Sequence, residues 1–361
     1  MERMSAMINE KLLNFLCEKT VWEDLGNENL LHEFPEFGES VGGAINSGRL
    51  IDFTVELSGR LENMDLYKAS LLSNFIGFAC EKEEDTSAGS GVLKLFLRAC
   101  QNVYEMCRSM EEEEEYEFPE PDEWESIYQK NEEWVRAYFG FNILCVTVMA
   151  FITRDAGLRK ELADMGISEQ IRYLAEDVPD TPYLKSVYYV NCMQKTCSGL
   201  KLLVLYPDRK KGFVATANDL NNCFHLIFLM EEQIYERLGE KYGMQGFYAS
   251  ESLTSLAHGN YPKDCWDESY CTYYMECDYS TASHENYMTE DMMSLIWGEM
   301  PPEAIPRIDG YGVIVLFEGG PSRSFSAQFL ATPHEALDPY VEIERELEDD
   351  EYAAWIDQIK K

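Results

Sequence analysis

The sequence predicts a mainly α-helical chain: an array of helical hairpins, either an irregular α-solenoid or a bundle, over residues 1–244, then a small α+β lobe over residues 245–361. Three observations predict it. Through most of the first part, apolar side chains recur at spacings of three and four, the stripe of helices that pack by one face. Gly312-Val-Ile-Val-Leu-Phe317 is instead a continuous apolar, β-branched run, suited to a strand covered on both faces. Between the two textures, Tyr and Cys crowd residues 261–279, and Pro301, Pro302 and Pro306 interrupt any longer helix.

In chain order, Leu12, Leu13, Phe15 and Leu16 mark a first helix within residues 5–20. Leu50, Phe53, Leu57 and Leu61 form one stripe, and Leu71, Leu72, Phe75, Ile76 and Phe78 the next, with a break near Glu62-Asn63. Thr86-Ser-Ala-Gly-Ser-Gly91 reads as a flexible turn before a helix carrying Leu93, Phe96, Cys100, Val103 and Cys107. Ala137–Thr153 carries no charge and just reaches the minimum length of a membrane span, but it is read as a buried central helix. Asp180-Thr181-Pro182 predicts a helix start, with Thr181 as N-cap and Pro182 at the first helical position. Helix is expected to continue to about Met244, interrupted at Tyr206-Pro207-Asp208.

After residue 245, a short helix is expected around Met292–Trp297. Phe325, Ala327, Phe329 and Ala331 alternate with polar residues and predict a hairpin with 312–317 across Glu318-Gly-Gly-Pro-Ser322. Asp338-Pro339 is expected to open a closing helix, with Tyr340, Ile343 and Leu347 on one face and Tyr352, Trp355 and Ile359 later.

Leu158-Arg-Lys-Glu-Leu-Ala-Asp-Met-Gly166-Ile-Ser-Glu-Gln-Ile171-Arg-Tyr-Leu174, followed by Val190-Asn191-Cys192, resembles the second-to-third helix passage of armadillo repeats, and one constant offset aligns Leu57, Lys68, Asn74 and Cys80 with Leu174, Lys185, Asn191 and Cys197. The resemblance, to armadillo and HEAT families, covers about residues 49–200. It implies a curved scaffold for protein partners with no chemistry of its own.

Sixty-six Asp and Glu stand against 30 Lys and Arg, a formal net charge of −36. A field of that sign repels phosphate backbones and argues against direct, non-specific nucleic-acid binding, so no direct nucleic-acid partner is expected. Eleven cysteines lie mostly within apolar stretches, where Cys acts as a small hydrophobe. The opening residues have no apolar core of the signal-peptide kind. Reduced thiols, a cytoplasmic location and no membrane partner are therefore expected.

The sequence nominates no catalytic residue and no cofactor. Gly-x-Ser-x-Gly, His-Glu-x-x-His, Gly-x-x-x-x-Gly-Lys and Gly-x-Gly-x-x-Gly are all missing. His225, inside Phe224-His-Leu-Ile-Phe228, reads as a core residue. Cys265, Cys271 and Cys277, with His258 and His284 nearby, have the chemistry of a zinc site but not its spacing. On one strand Cys271 and Cys277 would stand about 20 Å apart. The reading is no metal.

The unusual feature is acidic. Glu111, Glu112, Glu113, Glu114, Glu115, Glu117, Glu120, Asp122, Glu123 and Glu125 follow one another without a base, interleaved with Tyr116, Phe118 and Trp124. A second cluster at the C-terminus holds Glu342, Glu344, Glu346, Glu348, Asp349, Asp350 and Glu351, offset only by Arg345. Were the first run helical up to Pro119, its side chains would offer charge every ~1.5–2 Å of axis, comparable with the ~1.7 Å of duplex DNA. Rim charges contribute little alone, so the aromatics are read as apolar anchors. The function expected is a nucleic-acid mimic: a non-catalytic inhibitor or immunity-type protein that neutralises a basic partner such as a nuclease. A passive scaffold and an enzyme with an unrecognised site are the alternatives.

Overall fold

The computed structural model describes residues 8–112, 115–116, 119, 123–179, 181–239, 247–260, 272–281, 295–317 and 323–359. The chain is mainly helical with an α+β C-terminal region. It divides into two units, Met1–Gln194 and Lys195–Lys361, so the division falls earlier than residue 245. The reason is local. Residues 200–206 and 211–218, where the sequence predicts helix, are a strand pair that belongs to the sheet of the second unit.

The first unit contains α1 (Glu10–Cys17), α2 (Pro35–Asn46), α3 (Leu50–Ser58), α4 (Leu66–Lys82) and α5 (Gly89–Ser109). A two-residue strand pair follows, β1 (Glu111–Glu112) and β2 (Glu115–Tyr116), and then α6 (Trp124–Lys130), α7 (Glu132–Ile152), α8 (Ala156–Asp164), α9 (Ser168–Arg172) and α10 (Val187–Gln194). A π-helical turn over Tyr173–Asp177 continues α9. Asn131 starts α7 by accepting the backbone N–H groups of Glu133 and Trp134, and Asp65 starts α4 by accepting from Lys68. α7 is the central helix foreseen from Ala137–Thr153; it is long and apolar enough to cross a membrane, yet most of it is buried within the protein.

α4 and α7 run parallel, because Asp65 meets Arg136, Ser70 meets Gly140 and Ser73 meets Thr147. A Cβ on Gly140 would stand 2.6 Å from Ser70 Oγ, so glycine sets how closely the helices approach. Gly91 was read as part of a flexible turn, but it lies inside α5, where a Cβ would sit 2.4 Å from the Ser58 carbonyl oxygen. That glycine serves packing rather than flexibility. The helix start at Thr181-Pro182 is also corrected: residues 182–186 form turns, and α10 begins at Val187.

The aligned offset does not give matching environments. Lys68 is buried in α4 whereas Lys185 is exposed in a turn; Asn74 is exposed whereas Asn191 is buried; Cys80 is helical whereas Cys197 precedes a strand.

The second unit is built on a sheet. Its elements are β3 (Leu200–Tyr206), β4 (Lys211–Asn218), α11 (Cys223–Leu238), α12 (Glu251–Ala257), β5 (Thr272–Tyr274), β6 (Asp278–Thr281), β7 (Arg307–Ile308), β8 (Tyr311–Phe317), β9 (Ser324–Ser326), β10 (Tyr340–Glu346) and α13 (Asp349–Ile359). The main sheet has the order β10-β4-β3-β8-β6, with β7 also on β8. Only β3 and β8 are parallel, Leu203 lying opposite Val313. Lys210, in the left-handed region at φ 53°, turns the chain from β3 into β4.

Both faces are covered, as the 312–317 run requires. Leu202, Val204, Phe213, Ile314, Leu316, Val341 and Ile343 pack with α11 and α12 residues. Leu203, Leu205, Val214, Val313 and Val315 pack against Tyr352 and Ile359 of α13.

Three readings in this unit are corrected. β8 and β9 are not a hairpin with each other; β9 pairs with β5, and residues 318–322 lie outside the described residues. Leu295 bridges Ser280 rather than opening a helix, while residues 292–294 are outside the description. Residues 340–346 form an edge strand with Val341 and Ile343 inward, and the closing helix starts only at Asp349.

Candidate functional site

The acidic run begins as an anchored strand pair, not as the helix that the DNA-like charge spacing requires. Glu111 pairs with Tyr116 and Glu112 with Glu115 across β1 and β2. Arg108 at the end of α5 binds Glu111. Its guanidinium lies 5.4 Å from the Tyr173 ring centre, and the Tyr173 hydroxyl donates to Glu111 Oε2 at 3.5 Å. Tyr104 packs edge-on against the same ring at 5.2 Å. The π-helical turn thus presents Tyr173 to α5 and to the foot of the hairpin.

Glu123 and Glu125 are exposed. Trp124 is not: it is buried, stacked on Tyr138 at 4.6 Å and edge-on to Phe139 at 5.7 Å. It anchors α6 to α7 and is withdrawn as a partner contact, since its ring is consumed by the core. Glu113, Glu114, Glu117, Phe118, Glu120 and Asp122 lie outside the described residues, as do the side chains of Glu112, Glu115 and Tyr116.

The C-terminal acids are differently placed. Glu344 binds Lys201 and Thr216, Asp349 binds Lys211 at 2.8 Å, and Glu351 takes both Arg345 amino groups at 2.6 and 2.8 Å. The hydrogen bond from Lys201 holds the Glu344 carboxyl below its ordinary range, and Arg345 does the same to Glu351. Glu348 and Asp350 are exposed beside them. Three of the seven acids of this second cluster are therefore paired with cations of their own unit.

Cys265, Cys271 and His284 lie outside the described residues. Cys277 is buried, and no disulfide forms among the described cysteines. Among the described residues, no three His, Cys, Asp or Glu side chains are grouped to share a metal ion.

The structure also assembles polar groups that sequence reasoning missed, centred on α11. Glu231 is fully buried, and its carboxylate accepts from the Tyr273 hydroxyl at 2.5 Å and from the backbone N–H groups of Glu276 and Cys277 at 2.8 and 3.2 Å. Burial outweighs those three donors and pushes its pKa up to about 7. Glu232, next in sequence, faces His258 with 2.7 Å between Oε2 and Nε2, and that hydrogen bond raises the histidine. His225 is a core residue, as read. Its Nε2 lies 2.7 Å from the Ala257 carbonyl, and burial lowers its pKa to about 4. The end of α12 is thus tied to α11 by two histidines. The three donors around buried Glu231 tie α11 to residues 273–277.

In the first unit, Arg136 is buried and its Nε donates to Asp65 at 3.2 Å. Asp65 also accepts from Thr20 N at 3.2 Å and Thr20 Oγ1 at 2.6 Å. Lys68, lowered by burial, donates to the Phe15 and Glu18 carbonyls at the end of α1 at 2.9 and 2.8 Å.

Comparison with protein-family models, curated proteins and solved structures gives no match to this chain.

Proposed function

We propose that the protein is a non-catalytic interaction protein that binds and neutralises a basic partner, of the nuclease or other nucleic-acid-binding class, by offering carboxylates where that partner binds phosphate. The supporting observation is the anchored acidic hairpin. A run whose only purpose is solvation has no need of Arg108, Tyr173 and Tyr104 to fix its foot. A chain of net charge −36 steers cationic grooves toward itself, which raises association rates and makes binding fall with salt. The reading places it in a reducing cytoplasm. Against the C-terminal cluster stand its internal cations, so the 111–125 run is the principal face.

The test is capture from the native cell lysate at about 50 mM salt, with elution at about 300 mM. A retained basic protein that elutes with salt, and is lost when Glu112, Glu113, Glu114 and Glu115 are all changed to Lys, supports the reading. Retention indifferent to both changes refutes it.

A second reading, a helical scaffold with an irregular solenoid in its first unit, is favoured by one observation. Phe78 and Val146, on the parallel helices α4 and α7, are 68% and 50% exposed.

A further inference from the structure

A cavity of about 510 Å³ opens where α4 and α7 begin, lined by Asn63–Leu66 and Gln129–Glu133 together with Cys17, Lys19, Arg98 and Arg136. Because the two helices are parallel, both positive ends lie at this one place. Four cations also converge on it: Lys19, Arg98, Lys130 and Arg136. Asp65, Glu132 and Glu133 line the same cavity, so four cations face three carboxylates there, a slight positive excess in a chain of net charge −36.

We propose that this cleft binds a phosphorylated small molecule. Arg136 is the fixed element, its side chain 5% exposed and held by Asp65. Glu132 Oε2 now lies 3.0 Å from Lys19 Nζ and 3.2 Å from Arg136 Nη1, the position an incoming phosphate oxygen would take. Glu133 occupies Arg98 in the same way at 2.5 Å. Both glutamates are more than two-fifths exposed, at 43% and 44%, so each can swing into solvent and release its cation. Lys130 has no ion pair among the described residues and adds charge at the rim. The guanidinium groups of Arg98 and Arg136 suit a tetrahedral oxyanion of double charge better than a single carboxylate, while the two helix N-termini, capped by Asp65 and Asn131, add only their dipoles. The volume leaves room for the rest of a small ligand beside the phosphate. This site is independent of the acidic hairpin, and either reading can fail without the other.

Titration calorimetry with inorganic pyrophosphate, at fixed ionic strength, tests it on the full chain. Saturable binding is expected, about tenfold weaker in the Lys19→Gln/Lys130→Gln double variant and about tenfold tighter in Glu132→Gln, where the internal competitor is gone. All three are surface changes, and circular dichroism verifies that each variant is folded. No saturable binding by wild type and Glu132→Gln up to about 10 mM overturns the proposal. So does affinity unchanged in the double variant, or citrate binding as tightly as pyrophosphate.

Discussion

Asp65 and Glu231 are both carboxylates sealed inside the protein, one in each unit, and they are stabilised by opposite means. Asp65 has a cation, Arg136, with Thr20 and the Lys68 N–H completing its shell. Glu231 has none among the described residues, only a tyrosine hydroxyl and two peptide N–H groups. The difference teaches what neutral donors can do. Three good hydrogen bonds do not compensate the lost hydration of a full charge, so Glu231 rests near the midpoint of its titration at neutral pH.

The largest effect is expected from breaking the ionic site. Arg136→Met leaves Asp65 buried without its cation and should cost about 3–5 kcal/mol of stability. Denaturant unfolding followed by circular dichroism measures it. The paired change Asp65→Leu with Arg136→Met should lose less than Arg136→Met alone; an equal or greater loss would mean that the arginine matters through packing instead.

Next comes the pH profile of the neutral site. Glu231 is raised from its ordinary 4.5 to about 7, so the native state holds the proton more tightly. Its contribution is complete below about pH 4.5 and is lost as pH rises to about 7, worth about 3 kcal/mol. His225 is lowered from 6.5 to about 4, so its contribution is complete above 6.5 and is lost as pH falls to about 4. The two slopes nearly cancel between them. Glu231→Gln removes only the first: its oxygen can keep both N–H bonds, and its amide can donate to Tyr273. Thermal melts of this variant should hold steady from pH 6.5 to 8 and fall steeply toward pH 4, while wild type stays flatter across the acid range. A variant curve parallel to wild type would refute the assignment.

The smallest effect is expected at the half-exposed pair. His258 is raised by Glu232, so the pair stabilises most below pH 6.5 and fades as pH rises through the histidine's folded value. His258→Gln should lower the melting temperature at pH 6 by more than at pH 8.5. Equal shifts at both would assign His258 to packing alone.

How far the sequence could be read depended on whether a pattern had one physical solution. An uncharged stretch such as 137–153 has to be hidden, and Val313–Leu316 cannot face water on either side; both were legible. Leu200–Tyr206 was not, because a short apolar run satisfies helix and strand equally until its flanking turns are weighed. In Tyr340–Glu346, the spacing of Tyr340, Ile343 and Leu347 suggested a helix, while Val341 and Ile343 supplied the true alternation. Trp124 sits between exposed acids, a pattern that suits a surface anchor, yet its ring stacks on Tyr138 in the core. The cationic cleft was invisible, since Lys19, Arg98, Lys130 and Arg136 are scattered and only the parallel packing of α4 and α7 unites them. Glu231 lay unnoticed among 66 acids.

The order of strands in the main sheet also sets a schedule for synthesis. β3 and β4 leave the ribosome as a hairpin apolar on both faces, yet the flanks they need arrive much later: β8 for β3, and β10 for the open edge of β4. Until residue 346 has emerged, β4 offers an unpaired edge to any passing strand. A stop codon placed before Tyr340 should therefore raise the fraction of product that sediments from a lysate, relative to the full chain.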